Sequence, residues 1–245
     1  MNIPISLMFF TSTKGHYGHK GMYLDTLNHL DRQIPLTSFS VKVAHIKVSP
    51  DETGVASVME KNLVDRGFKT ILTVGSWERG TSHQWAYLED QRRMSTEWSL
   101  YKNPHVLLLE DDSPFVCHKD SLEACLYHMS LRIDASPDTL TFRFIRRADY
   151  DGGVPHLRDE ANCFWSPYTD FQPMMLRSRD YYLLHKAIED NWDKVKHLQS
   201  EMLWRVMLAG FSRTEYKHLV WLPDYAESYH LGVPDYLNVR KTLNL

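Results

Sequence analysis

The sequence predicts an α/β protein with a mostly parallel central sheet flanked by helices, built as a single domain in two lobes. Three observations carry this. Short apolar runs alternate with helix-period patterns from the N-terminus onward, as βαβ units do. One run, Val106-Leu107-Leu108-Leu109, is apolar on successive residues, as a strand covered on both faces must be. No repeat, low-complexity tract or Gly/Pro-rich linker divides the 245 residues, a length that one α/β domain reaches.

The first strand is expected at 5–11, overlapping an apolar run from Ile3 to Phe10 that is too short for a membrane span and lacks the basic flank of a signal peptide. A helix at 22–30 leads to a strand at 39–48. The helix at 51–66 has Asp51 as N-cap after Pro50 and Gly67 as C-cap. A strand at 70–75 follows, then a helix at 83–101 whose Tyr87, Met94, Trp98 and Tyr101 share one face. The strand at 105–109 closes the N-terminal lobe, 1–116. The C-terminal lobe, 117–245, opens with a helix at 121–131 and a strand at 139–145. Between 146 and 173, Asp149, Asp151, Gly152, Gly153, Pro155, Pro167 and Pro173 break every periodicity, so an irregular insertion without helix is expected. Helices at 178–189 and 192–209 and a strand at 218–222 complete the chain.

Composition limits the function classes. Lys plus Arg number 28 against 31 Asp plus Glu, a net charge of −3, so any contact with a phosphate backbone must come from a local patch. Cys117, Cys125 and Cys163 are odd in number and lack paired CxxC spacing, which points to a reducing compartment and away from a disulfide or zinc framework. With no N-x-Ser/Thr sequon and no membrane segment, a cytoplasmic location is expected.

The buried run 106–109 delivers Glu110-Asp111-Asp112 at its carboxyl end, where ligands sit in open α/β sheets. Adjacent carboxylates repel, and Mg²⁺ or Mn²⁺ is the usual neutraliser, clamping substrate phosphates in turn. A plainer alternative is that Asp112 or Ser113 caps a helix starting at Pro114. After the first strand, Thr11-Ser12-Thr13-Lys14-Gly15-His16 combines small residues with a lysine and a histidine, suited to hold a nucleotide through backbone N–H groups and charge, although no P-loop is present. Basic residues gather at Arg92-Arg93 and at Arg143, Arg146 and Arg147, the latter near Trp165 and Tyr168, where they suit an acceptor carrying phosphates or a solvated face.

Glu110-Asp111-Asp112 behind a hydrophobic strand resembles the DxD motif of GT-A nucleotide-sugar glycosyltransferases. The resemblance implies Mn²⁺ or Mg²⁺ ligated by Asp112, with Glu110 or Asp111 helping to hold the metal or the donor ribose. Tyr229-His230-Leu231-Gly232 is similar to the late histidine that in many such enzymes returns to the metal, which makes His230 the third expected ligand. Gln199-Ser200-Glu201-Met202-Leu203-Trp204-Arg205 is similar to the xED helix and implies Glu201 as the base toward the acceptor hydroxyl, although Gln199 stands where the family base usually does. The alternatives are a Glu201–Arg205 i,i+4 pair and Asp170 as the base. Thr11, Ser12, Thr13, Lys14, His16 and Asp111 are then the expected contacts of a UDP-sugar donor.

The segments 11–16, Ala44-His45-Ile46-Lys47 and Glu110-Asp111-Asp112-Ser113-Pro114-Phe115 are similar to the base J glucosyltransferase-related group, which glycosylates hydroxymethylated pyrimidines in DNA, phage DNA included. That implies a 5-hydroxymethylpyrimidine acceptor, met by Arg143, Arg146 and Arg147 and received among Phe164, Trp165 and Tyr168 after leaving the stack. A glycan or small-molecule acceptor, a metal-dependent nucleotidyl or phosphoryl transfer, and a non-enzymatic carbohydrate- or nucleotide-binding module remain open.

Overall fold

The computed structural model describes residues 3–14, 20–75, 97–151, 157–158, 162–166, 173–191, 193, 217–231 and 241–243. Strand β1 (Ile3–Ser12) is followed by α1 (Met22–Gln33), β2 (Phe39–Val48), α2 (Thr53–Asp65), β3 (Lys69–Val74) and β4 (His105–Glu110). Then come β5 (Phe115–Cys117), α3 (Leu122–Ala135), β6 (Thr139–Arg143), α4 (Arg147–Asp151), β7 (Leu157–Arg158), β8 (Cys163–Ser166), β9 (Met174–Arg177), α5 (Ser178–Asp190), β10 (Lys217–Trp221) and β11 (Ala226–Ser228). Among the described residues a nine-stranded sheet runs in the order β3-β2-β1-β4-β9-β6-β10-β8-β7, and β11 pairs with β5 in a separate ladder. Strands β1 to β4, β6, β7 and β10 share one direction, while β8 and β9 run against them.

The chain forms a three-layer α/β structure because its central strands are apolar on alternate residues toward both sides. On β1, Ile5, Leu7 and Phe9 join one cluster and Met8 and Phe10 the other; on β4, Leu107 and Leu109 divide likewise from Val106 and Leu108. The first cluster is closed by Tyr23, Leu27 and Leu30 of α1, Ala56, Met59 and Leu63 of α2, and Leu122, Leu126, Met129 and Ile133 of α3. The second is covered by Leu100 in a 3-10 turn, Trp98–Lys102, and by Tyr181 and Leu184 of α5. Each fully buried Leu or Phe side chain contributes about 1.5–3 kcal/mol.

Helix ends follow their sequence signals unevenly. Gly67 is the left-handed residue after α2, φ 79°, where Phe68 N donates to Leu63 O and Gly67 N to Val64 O in a Schellman turn. At the other end of α2 the N-cap is Glu52, and not Asp51 as the sequence suggested; the Glu52 carboxylate makes no capping hydrogen bond and accepts instead from Lys20 Nζ at 2.5 Å. Ser121 Oγ accepts from Ala124 N at 3.2 Å and caps α3. At the C-terminus of α3, Arg177 donates to the carbonyls of Ile133 and Ser136, tying β9 to that helix.

The expected insertion at 146–173 contains α4, β7 and β8 among its described residues, so it is not free of helix. Strands β5, β7, β8, β9 and β11 carry no periodic signal, being two to four residues long. No helix starts at Pro114; the chain enters β5 there, which sets aside the helix-cap reading of Asp112. The expected helix at 83–101 ends in the 3-10 turn and otherwise lies outside the described residues, as does that at 192–209 apart from Asp193. Among the described residues no helix is long and apolar enough to cross a membrane.

His185 on α5 is fully buried against the Tyr181 ring, with centroids 4.4 Å apart and, among the described residues, no hydrogen-bond partner for either ring nitrogen. Burial pulls its pKa from 6.5 down to about 3. The folded ring therefore stays neutral where the unfolded ring takes a proton, and stability falls on acidification between those values. Between about pH 7 and about pH 5, wild type is expected to lose on the order of 2 kcal/mol more than His185→Phe in urea unfolding. Equal losses in the two proteins would show that another group carries the acid sensitivity.

Candidate nucleotide and cation site

The strand order places β2 and β3 on one side of β1 and β4 on the other, so the topology reverses between β1 and β4. The crevice beyond the carboxyl ends of those two strands is where doubly wound sheets bind ligands. Parallel register sets Phe10 beside Glu110, and Asp111 N donates to Phe10 O at 3.0 Å, one step further on. Thr11-Ser12-Thr13-Lys14 and Glu110-Asp111-Asp112 thus emerge side by side.

Asp111 is held from several elements. Thr11 Oγ1 donates to its Oδ2 at 2.6 Å, and Thr26 Oγ1 of α1 donates to its backbone oxygen at 2.6 Å. Desolvation, then the Asp112 charge, push its carboxyl up to about 7 against the Thr11 hydroxyl, the Ser12 N–H and the Lys47 ammonium. The next layer is equally tied: Thr13 N donates to Lys47 O at 2.8 Å and Ser49 N to Thr13 Oγ1 at 3.0 Å. Thr11 and Thr13 are buried, Ser12 is half-buried and Lys14 is exposed. The two threonine hydroxyls therefore brace the strand ends, and Lys14 faces solvent.

Asp112 is only 6% exposed. Ser113 Oγ donates to its Oδ1 at 2.9 Å, and His230 Nε2 lies 3.1 Å from its Oδ2. That pairing across the chain is produced by the β5–β11 ladder, in which Ser228 faces Phe115, Glu227 faces Val116 and Ala226 faces Cys117. The same register continues past the strand ends, with Tyr229 N donating to Pro114 O at 2.7 Å and Leu231 N to Asp112 O at 2.8 Å. His230 therefore arrives at Asp112 by strand register. Glu110 is half-buried at the end of β4.

Whether these residues suit a divalent cation is a question of donor geometry. Neighbouring ligands of an octahedral cation with bonds of about 2.1 Å stand about 3 Å apart. The Asp112 oxygen and the His230 nitrogen meet that spacing. Among the described residues no group of three or more His, Cys, Asp or Glu side chains is gathered for a metal, so the protein itself offers this pair. A small set of protein ligands leaves coordination positions for substrate phosphates and water.

The expected acceptor residues are placed differently from one another. Arg143 is 1% exposed, inside β6, and donates to Ser166 Oγ at 3.3 Å; it belongs to the sheet interior and not to the surface patch the sequence suggested. Arg146 grips Asp149 with two hydrogen bonds, at 2.7 and 3.0 Å, and Arg147 reaches Asp224 at 2.8 Å. Trp165 on β8 is half-buried and packs against the first core cluster. His16, Tyr168, Asp170 and Glu201 lie outside the described residues. Sequence reasoning missed Thr26 and Ser49. The one available signal was a threonine within the apolar stripe of α1, since a buried hydroxyl must find a partner.

No family model and no curated protein matches the sequence. Solved structures do. A Bacillus anthracis protein assigned as a glucose-1-phosphate thymidylyltransferase, in complex with sucrose, aligns at TM-score 0.58 and 10% identity over 98% of this chain and 94% of its own. A UDP-glucose pyrophosphorylase complexed with UDP-glucose aligns at 0.55 and 9% over 98% of both chains. The fold is shared. S. aureus TarS 1–349 aligns at 0.50 and 18% over 97% of this chain and 64% of its own. The chain thus has the GT-A-type, Rossmann-like architecture, a single α/β domain with a large, mostly parallel sheet.

Replacing Thr11 with Val removes the hydroxyl donor from a desolvated carboxylate, which costs about 1–3 kcal/mol. Urea unfolding near neutral pH is expected to show that loss. An unchanged midpoint would mean that the Ser12 N–H and Lys47 satisfy Asp111 by themselves.

Proposed function

We propose that the protein is a metal-dependent glycosyltransferase that moves a sugar from a UDP-sugar to an acceptor hydroxyl. The observation that carries this is the Asp112–His230 pair, 3.1 Å apart at the carboxyl edge of β4 beside the end of β1. Asp112 and His230 would hold Mn²⁺ or Mg²⁺; Glu110, expected as a third ligand, is not gathered with them among the described residues and is left to the donor ribose. When bound, the cation neutralises the charge that develops on the departing diphosphate. Asp111, locked to Thr11 and Thr26, fixes the strand ends against which the donor lies. Ser12, Lys14 and His16 are assigned to the nucleotide, through backbone N–H groups and positive charge. Glu201 is assigned as the base that takes the acceptor proton, with Asp170 the alternative.

The acceptor in this reading is a 5-hydroxymethylpyrimidine in DNA, on the resemblance carried by residues 11–16, 44–47 and 110–115. With Arg143 inside the sheet, phosphate contact falls to Arg146 and Arg147, and the flipped base to Trp165 and Tyr168. Binding must then weaken steeply with salt, because a chain of net charge −3 has only a local patch to offer.

A second reading, sugar nucleotidyl transfer, is favoured by the two nucleotidyltransferase-type neighbours, whose TM-scores of 0.58 and 0.55 exceed the 0.50 of TarS. The two chemistries differ in product. The protein is incubated with Mn²⁺, a panel of UDP-sugars and duplex DNA carrying 5-hydroxymethylcytosine or 5-hydroxymethyluracil, and nucleosides are read by mass spectrometry. A hexose or pentose adduct on either base is the expected outcome. In a parallel incubation with a nucleoside triphosphate and a sugar 1-phosphate, formation of the nucleotide sugar with release of pyrophosphate, and no sugar transfer in the first incubation, would establish the second reading. In the productive assay, Asp112→Asn is expected to lower turnover by about 100-fold or more, since a misheld cation forfeits several kcal/mol of charge stabilisation. Full turnover in that variant would remove Asp112 from the cation site.

A further inference from the structure

Behind the Asp112–His230 pair lies a polar cluster of which the proposed reaction uses only Arg147. Glu227, in the middle of β11, is 7% exposed, yet it carries a carboxylate. Its Oε1 accepts from the Tyr229 hydroxyl at 2.8 Å and lies 2.9 Å from His118 Nε2. Its Oε2 faces Arg147 Nε at 3.5 Å. The three partners come from three places: Tyr229 from the residues after β11, His118 from the end of β5, and Arg147 from α4. The backbone closes the same joint, since His118 N donates to Tyr225 O at 2.8 Å.

Glu227 and Tyr229, two residues apart, meet side chain to side chain, as the alternation of an extended strand allows. The carboxylate cluster thus ties β11 to the end of β5 and to α4. Only the carboxylate is buried, with the His118 and Arg147 side chains 34% and 46% exposed, so these ion pairs add little net stability, and the best-attested use of such polar contacts is to fix register. Register is what this ladder must keep. A slip by one residue between β5 and β11 would turn every side chain to the other face and carry His230 away from Asp112.

We infer that Glu227 is a positioning residue of the cation site, setting the β5–β11 register through His118, Tyr229 and Arg147 and so holding His230 against Asp112. The inference rests on the cation reading above. It assigns Glu227 no contact with substrate or metal; the carboxylate acts through the ladder.

Mn²⁺ binding to the full chain, followed by electron paramagnetic resonance, tests it without any turnover assay. Wild type binds, and Glu227→Ala is expected to bind about 10–100-fold more weakly while keeping its circular dichroism spectrum, as losses of metal-supporting partners do. Glu227→Gln keeps an acceptor for Tyr229 and His118 and is expected to stay within about threefold of wild type. If Glu227→Ala does not fold, Tyr229→Phe, which deletes one hydroxyl, takes its place and is expected to weaken binding measurably. Wild-type affinity in Glu227→Ala or Tyr229→Phe, with only the melting temperature lowered, overturns the inference and leaves Glu227 a structural residue.

If wild type itself binds no Mn²⁺, the cation reading fails. The positioning role is then judged in metal-free protein from the His230 ring ¹H–¹⁵N correlation. A displaced correlation in Glu227→Ala supports the role, and an unmoved one overturns it.

Discussion

Everything at the carboxyl edge of the sheet depends on the parallel pairing of β1 with β4. The two strands meet only because each is apolar toward both helical layers, so neither has a face it can turn to solvent. Their register then leaves no freedom in what emerges: Phe10 beside Glu110, Thr11 beside Asp111. The hydroxyl, the carboxylates and the small residues of 11–14 are fixed to one another by backbone hydrogen bonds of the sheet, before any side chain chooses a partner. Asp111 shows the cost of this. It stands next to Asp112 with its own charge disfavoured by burial, and is tolerated because Thr11, Ser12 and Lys47 surround it.

The N-terminal half was legible in the sequence because its signals are long. Strand β2 occupies the expected 39–48, and β1, β3 and β4 differ from expectation by one or two residues at their ends. The second half was not. Strands β5, β8, β9 and β11 have three or four residues each, too few to display a period, and their place in the sheet comes from pairing with distant segments. Arg143 is the sharpest case: a charged residue beside two further arginines reads as surface, yet β6 carries it into the sheet, where Ser166 meets it. A single strand's sequence does not say which neighbours will cover it.

The candidate site divides along the same line. The three acids were visible because they interrupt a buried run. His230 was visible only through resemblance, since nothing local distinguishes it among 13 histidines. What brings it to Asp112 is the pairing of a three-residue strand with another more than a hundred positions away. Such a ladder is too short to be stable alone, and it holds through the packing of Phe115 against Phe144, 4.3 Å between centroids, and of Tyr225 against Trp221.

Strand β9 has a consequence for the making of the protein. It lies antiparallel between β4 and β6 and is the sole described bridge between the two halves of the sheet. As the chain is synthesised, β1 to β4 can assemble from contiguous βαβ units, but the far edge of β4 has no neighbour until residues 174–177 leave the ribosome. At about 5–20 residues per second, the roughly 60 intervening residues leave an apolar strand edge uncovered for some 3–13 seconds. An uncovered edge of that kind templates pairing with other chains. Slow elongation through 111–173 would prolong that exposure, so yield of soluble protein should respond to translation speed in that stretch more than to the codons of the first hundred residues.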